Sequence, residues 1–290
     1  MNGNPIPDLH EVVLRALDLH SSYRIPALDA GLARRRVVIA SGNALPTGRM
    51  IFAEEDALFC DEGQYRGVLG RHPDVDSVVV ISASGTKHGP LIVQDVLDRG
   101  LPVHLITCDP ASPAAALLPP DRVVATRSNP ETITYNTSTY LGMVLAKTGE
   151  DPSAIKRHIV ERVAPLMPGI GGYAAYYIMA RPEFDVVLPM FVTKFDELFG
   201  GRVAGRCYTT EQTLHAKTVV PWERELFVSL GCENHDFGSQ RLAIPLPEGG
   251  GYAAMMATGY FVIGNIQAQK TPWFKQHADE YARIQKELFD

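Results

Sequence analysis

The stretch Val78-Val79-Val80-Ile81-Ser82-Ala83-Ser84-Gly85-Thr86 carries the reading from which the fold follows. Its consecutive β-branched residues, with Ser77 leading in, predict a strand buried on both faces, as in a parallel sheet. Three hydroxyl side chains and a glycine follow within five residues, and His88 to Arg99 then shows a helical pattern. A strand that empties into such a turn and opens a helix suits an anion such as phosphate. The turn's N–H groups and the helix N-terminus favour the charge, and the hydroxyls complete the cradle. The same residues also fit an ordinary strand-to-helix turn with a serine N-cap.

Working outward, Arg36 to Ala40 reads as a first strand, with the small polar turn Ser41-Gly42-Asn43-Ala44 at its carboxyl end. Pro102 to Thr107 and the shorter Arg122 to Ala125 supply two more strands, and Gly48 to Leu58 reads as a helix. Residues 1–36 form a helical lead, with Asp8 as its N-cap and Leu9, Val12, Val13, Leu17 and Leu19 as its apolar stripe. Strands alternating with helices at this spacing imply a parallel sheet, whose ligands bind at the carboxyl ends of the strands. Both hydroxyl turns lie on that edge. Asn129 to Lys147 reads as a helix whose polar middle includes Thr137 and Ser138, taken as a second wall of the site.

A Gly- and Pro-rich boundary at about 149–168 separates the halves. Beyond it, Phe184 to Pro189 and Gly201 to Arg206 read as strands, as does Gln240 to Leu246. Tyr252 to Ile266 reads as an apolar helix and Pro272 to Asp290 as a charged amphipathic one. The second half repeats the plan loosely and lacks a hydroxyl-rich turn, so phosphate binding is assigned to the first half.

Composition narrows the classes. The chain has 290 residues, 46% hydrophobic and 21% charged, with a net charge of −6. That balance, with no basic run longer than Arg34-Arg35-Arg36, argues against nucleic acid as partner. Four scattered cysteines show neither a CxxC nor a metal-ligand spacing and read as reduced thiols of a cytoplasmic protein. No apolar run reaches about 18 residues and no signal-peptide pattern opens the chain, so neither membrane insertion nor secretion is expected.

Ser82-Ala83-Ser84-Gly85-Thr86 resembles the S-x-S-G-x-T phosphate loop of the SIS (sugar isomerase) domain family, one position short at its end. VVIASGNA at 37–44, PVHLITCDPASPAA at 102–115 and ETITYNTSTYLGMVLAKTG at 131–149 are similar to the neighbouring family segments. The resemblance implies two tandem, flavodoxin-type parallel-sheet halves with helices on both faces. Similar tandem proteins are the small bifunctional phosphoglucose/phosphomannose isomerases and the isomerase half of glucosamine-6-phosphate synthase. It places the first SIS domain at 37–150 and a second SIS-like domain with its C-terminal helix at 165–290. Ser41, Gly42, Asn43, Ser82, Ser84, Gly85, Thr86, Thr137 and Ser138 are then the expected substrate- and phosphate-binding residues. A sugar-phosphate substrate, a homodimer, and no metal or other cofactor are also implied.

In the second half, Glu233-Asn234-His235 looks like the family's histidine stretch, and Gln212 to Lys217 is similar to its glutamate-bearing helix. Glu211 stands about one helical turn from where the base would align, and Leu214 and Thr218 occupy the nearer positions. Lys286 is similar to the terminal lysine of the small isomerases. An arginine expected near position 136 is absent, and Lys87 stands where relatives carry an acid or amide. Glu233, His235, Glu211 and Lys286 are the expected catalytic set, with His215 and Lys217 behind them. Moving a proton between C1 and C2 through an enediolate needs a carboxylate for the C–H proton and a histidine for the ring-oxygen proton. The expected activity is a phosphosugar aldose–ketose isomerase. The alternatives are an amino-sugar phosphate deaminase or aminating isomerase, and a non-catalytic sugar-phosphate sensor.

Overall fold

The computed structural model describes residues 6–132, 134–215 and 220–289. The chain divides into two compact units. One comprises Leu19–Asn129 with Ser138–Asp151; the other comprises the chain up to Asp18, Pro130–Thr137 and Pro152–Asp290.

Helix α1 (Leu9–Ser21) begins where Asp8 predicts. The Asp8 carbonyl accepts from the N–H groups of Glu11 and Val12 at 3.0 and 3.2 Å. Its own N–H donates to the Glu11 carboxylate at 2.8 Å, half of a capping box. Then come β1 (Arg36–Ala40), α2 (Ala44–Ile51), β2 (Ala57–Cys60), α3 (Tyr65–Arg71), β3 (Ser77–Ile81), α4 (Gly89–Asp98), β4 (Val103–Thr107), β5 (Val123–Ala125) and α5 (Thr137–Thr148). The five strands are all parallel, in the order β2-β1-β3-β4-β5. Every residue of β1 and β3 is buried, which is why both read as unbroken apolar runs. Val37, Ile39, Val78, Val80 and Leu105 share one sheet face with Ile92, Val93 and Val96 of α4 in a single core.

Two expectations need correction in this half. The helix read over Gly48–Leu58 is α2, which starts at Ala44 and stops at Ile51; the apolar run after Glu54-Glu55-Asp56 is the edge strand β2. A short apolar run has no periodicity that separates helix from strand, and pairing with β1 decides it. The helix read from Asn129 is confined to Thr137–Thr148, because Thr134 and Asn136 hold φ of 84° and 45°. A right-handed helix excludes such values.

The second sheet repeats the first with one strand fewer. After α6 (Pro152–His158) come β6 (Ala175–Ala180), α7 (Leu188–Phe199), β7 (Ala204–Thr209), α8 (Thr210–His215), β8 (Glu225–Leu230), β9 (Gln240–Ile244), α9 (Tyr252–Ala268) and α10 (Trp273–Phe289). The order β7-β6-β8-β9 is parallel throughout. The fold class is therefore the expected one: two parallel-sheet α/β halves with helices. The strand read at Phe184–Pro189 does not exist. Pro182–Val187 is a 3-10 turn leading into α7, and the sheet's central strand is β6, six buried residues upstream. Prolines 182 and 189 both sit in first turns, where a missing N–H costs nothing. The strand read at Gly201–Arg206 begins at Ala204, after a turn over Gly200–Arg202.

Helix α9 is buried almost all round, as its apolar composition requires. The four cysteines are free thiols. Among the described residues, no helix is long and apolar enough to cross a membrane.

Candidate functional site

The carboxyl end of β3 hands directly to the hydroxyl loop, and β4 pins that loop's backbone. Ser82 N–H donates to the Ile106 carbonyl at 3.0 Å, and the Ala83 carbonyl accepts from Cys108 N–H at 2.9 Å and the Thr107 hydroxyl at 3.1 Å. Gly85 then turns with φ +59°, and its carbonyl accepts from Ala114 N–H at 3.0 Å. A Cβ at position 85 would lie 2.1 Å from Ser112 Oγ, so only glycine fits there. The turn leaves the Ser84 and Thr86 hydroxyls exposed and 2.6 Å apart, one donating to the other. Thr86's carbonyl accepts from Gly89 N–H at 3.0 Å, and α4 begins at that residue. Lys87, with φ +30°, and His88 are exposed beside the loop.

A second turn stands next to it, because β1 and β3 are neighbours in the sheet. In this strand order their boundary is the topological switch point, where connections leave for opposite sides and a crevice opens. Ser41-Gly42-Asn43 closes into α2 through the Ser41 carbonyl, which accepts from Ala44 N–H at 3.1 Å. The Ser41 hydroxyl donates to the Glu62 carboxylate. Burial opposes ionisation of Glu62, but the Ser41 hydroxyl bond, the bond from its own backbone N–H and the nearby His88 outweigh it and hold its carboxyl below the ordinary value. The turn after β3 thus offers hydroxyl donors for an anion, and the turn after β1, through Glu62, an ionised acceptor for O–H or N–H donors. Glu62 was not read from the sequence.

Thr137 and Ser138 are fully buried at the start of α5. Thr137 N–H donates to the Glu131 carboxylate at 2.5 Å, and its hydroxyl to the Tyr135 carbonyl at 3.3 Å. The Ser138 hydroxyl accepts from Asn129 N–H at 2.9 Å. The Ser138 carbonyl accepts from His20 Nε2 at 2.9 Å. These groups hold backbone in place.

At the carboxyl edge of the second sheet, Arg181 after β6, Gly231 to Glu233 after β8 and Pro245 to Gly250 after β9 line a cleft of about 550 Å³. β6 and β8 flank that sheet's switch point. His235 Nε2 donates to Glu233 Oε2 at 2.7 Å, with the side chains 77% and 81% exposed. Asn234 ties the loop to Phe237 through two bonds of 2.8 and 2.9 Å. Glu211 is exposed in the first turn of α8, His215 is exposed in its last, and Lys286 is exposed in the last turn of α10. Lys217 and Thr218 lie outside the described residues.

A buried pair went unread. Lys194 of α7 is 0% exposed; its ammonium donates to the Thr134 carbonyl and, at 2.7 Å, to Glu197 Oε2, whose side chain is 19% exposed. The Tyr260 ring centre lies 5.5 Å from the Lys194 nitrogen. Burial pushes the Lys194 pKa down, against the pull of Glu197 and Glu131. The carboxylate beside it compensates the buried charge. The lysine's signal was present in the sequence. Lys194 stands three residues after Phe191 and four before Leu198, on the apolar stripe of α7, of which only Leu188 and Pro189 fall in the stretch read as strand.

No protein-family model matches the chain, and no curated protein matches it in sequence. Solved structures do match its fold. The C-terminal domain of glucosamine-fructose-6-phosphate aminotransferase from Francisella tularensis aligns with TM-score 0.60 at 12% identity, over 90% of this chain and 93% of that one. Glucosamine-6-phosphate deaminase from Thermotoga maritima gives 0.59 at 14% identity, over 90% and 91%. Tagatose-6-phosphate ketose/aldose isomerase from Escherichia coli gives 0.58 at 10% identity, over 92% of both chains. At these identities the likeness is one of fold.

Proposed function

We propose that the chain binds a sugar phosphate and interconverts its aldose and ketose forms. The observation that carries this reading is the exposed Ser84–Thr86 hydroxyl pair on the Gly85 turn, beside the switch point of a parallel sheet. A phosphate dianion there accepts charge-assisted bonds of roughly 1.5–3 kcal/mol each. Ser41 and Glu62 then meet sugar hydroxyls, since an ionised carboxylate accepts from O–H and repels phosphate oxygens. Anchoring the phosphate does no chemistry, but it holds the reacting carbons in place. Structures with this fold include proteins named as isomerases and deaminases of sugar phosphates, which supports the same substrate class here.

Proton transfer is assigned to Glu233 and His235. In this assignment Glu233 takes the C–H proton and His235 handles the ring-oxygen proton. A second assignment gives the C–H proton to Glu211, exposed in the first turn of α8.

The test is incorporation of solvent deuterium at C1 or C2 across a panel of hexose and pentose phosphates. It is run on wild type, Glu233→Gln, His235→Asn and Glu211→Gln. Wild type is expected to exchange, and loss of the acting carboxylate to cost about a hundredfold to ten-thousandfold in kcat, which tells the two assignments apart. Full turnover in all three variants sinks the isomerase. Binding without exchange in wild type makes the chain a sugar-phosphate sensor, and ammonia release makes it the amino-sugar enzyme.

A further inference from the structure

The first sheet has a second cleft at its opposite, amino edge, which the sugar-phosphate reading leaves unused. Its volume is about 390 Å³, and Asp29, Asp76, Ser77, His104, Asp121 and Arg122 are among the residues lining it. Ser77 opens β3, His104 is the second residue of β4, and Arg122 immediately precedes β5. The size falls within the usual range for small-molecule sites, about 300–1,000 Å³.

Its charges are arranged in an unusual way. Arg122 is half-buried and forms no ion pair among the described residues; its Nη1 lies 3.5 Å from His104 Nε2. A guanidinium only donates, so Nε2 accepts and the ring proton sits on Nδ1, which is buried with no partner among the described residues. Burial, then the charges of Arg122 and Arg36, hold His104 below the ordinary histidine value. Arg122 is therefore the cleft's cation and His104 a neutral prop beside it. The same lining carries two exposed carboxylates, Asp29 and Asp121. Asp29 Oδ1 accepts from Gly31 N–H at 2.8 Å, and neither carboxylate forms an ion pair among the described residues. Asp76 is already engaged by the Arg34 and Arg35 N–H groups at 3.1 Å and by the Arg34 side chain. Among the described residues, no three His, Cys, Asp or Glu are placed to hold a metal ion.

A simple anion in this cleft meets two aspartates, and a simple cation meets Arg122. We propose that it binds a small zwitterion of the α-amino acid class, with the ligand's carboxylate on Arg122 and its ammonium on Asp29 and Asp121. A planar guanidinium holds a carboxylate through two parallel bonds, and the flanking aspartates select for the amine. The site is independent of the Ser82–Thr86 loop, which lies on the other edge of the sheet.

Calorimetric titration of the full chain with glycine, L-alanine, propionate and ethylamine tests the proposal. Wild type and Ser84→Ala are expected to bind alanine equally. Arg122→Ala and the Asp29→Asn/Asp121→Asn double variant should each bind it about tenfold or more weakly, and wild type should bind propionate and ethylamine about tenfold more weakly than alanine. Melting curves without ligand show that each variant folds, and Arg122→Lys, which keeps the charge, should retain part of the affinity. The proposal is overturned if wild type binds neither amino acid, or if propionate binds as well as alanine. Affinity that survives in the folded variants, or is lost in Ser84→Ala, overturns it equally.

Discussion

Gly85 sets the shape of the hydroxyl loop through two constraints that act together. Its φ of +59° disfavours any L side chain, and Ser112 fills the space a Cβ would need. Gly42, with φ +54°, carries only the first constraint, since nothing lies within 4 Å of its Cβ position. Gly42→Ala should therefore cost about 1–2 kcal/mol of stability, and Gly85→Ala distinctly more, with loss of anion binding as the loop shifts. Denaturant unfolding of the two variants checks the difference, and equal costs would remove Ser112 from the account. Ser82 to Thr86 could be read in the sequence because their message is local: a β-branched run, then hydroxyls and glycine. Glu62 could not, because it reaches Ser41 across twenty-one positions that only the β1–β2 pairing brings together. Lys194 could have been. A lysine on an apolar helical stripe is visible once the segment is read with a helical period.

Strands with continuous burial were the legible elements, and β1, β3 and β4 came out within a residue of their ends. β6 did not, although all six of its residues are buried. Two tyrosines in Ala-Tyr-Tyr-Ile-Met-Ala blurred its apolar character, while Val186-Val187-Leu188 imitated a strand in a segment that packs as turn and helix. The helix before α5 was overextended for another reason. Thr134 and Asn136 take positive φ, and the Thr134 carbonyl accepts from Lys194 sixty residues on, a contact no local pattern announces. Energetically the first sheet depends on its central strands. Leu105 of β4 is 0% exposed and belongs to the core formed with α4. Leu105→Ala should cost about 2–5 kcal/mol, read as a lower denaturation midpoint at unchanged m-value. A loss below about 1 kcal/mol would mean that this core is not what holds the sheet.

For the molecule as a whole, stability should depend on pH through its buried histidines. His20, 1% exposed and bonded to the Ser138 carbonyl, has its pKa lowered by burial. His104 shifts the same way. As pH falls below the ordinary histidine value of 6.5, the unfolded chain binds protons that the folded one refuses, so the equilibrium moves toward unfolding until the depressed folded pKa is passed. Melting temperature should fall from neutral pH to about 5.5, and His20→Asn should flatten that slope. A slope that is unchanged in the variant would assign the effect elsewhere. The central claim is that the Ser82–Thr86 loop holds the phosphate of a sugar phosphate, and one comparison tests it most directly. The KM, or the Kd where turnover is absent, of wild type and Ser84→Ala is measured for the best sugar phosphate and for the same sugar without phosphate. Removing the Ser84 hydroxyl should raise the value for the phosphorylated sugar about tenfold to a hundredfold, with melting temperature unchanged. It should leave the value for the unphosphorylated sugar as it was. If Ser84→Ala binds the sugar phosphate as tightly as wild type does, the loop is not the phosphate site.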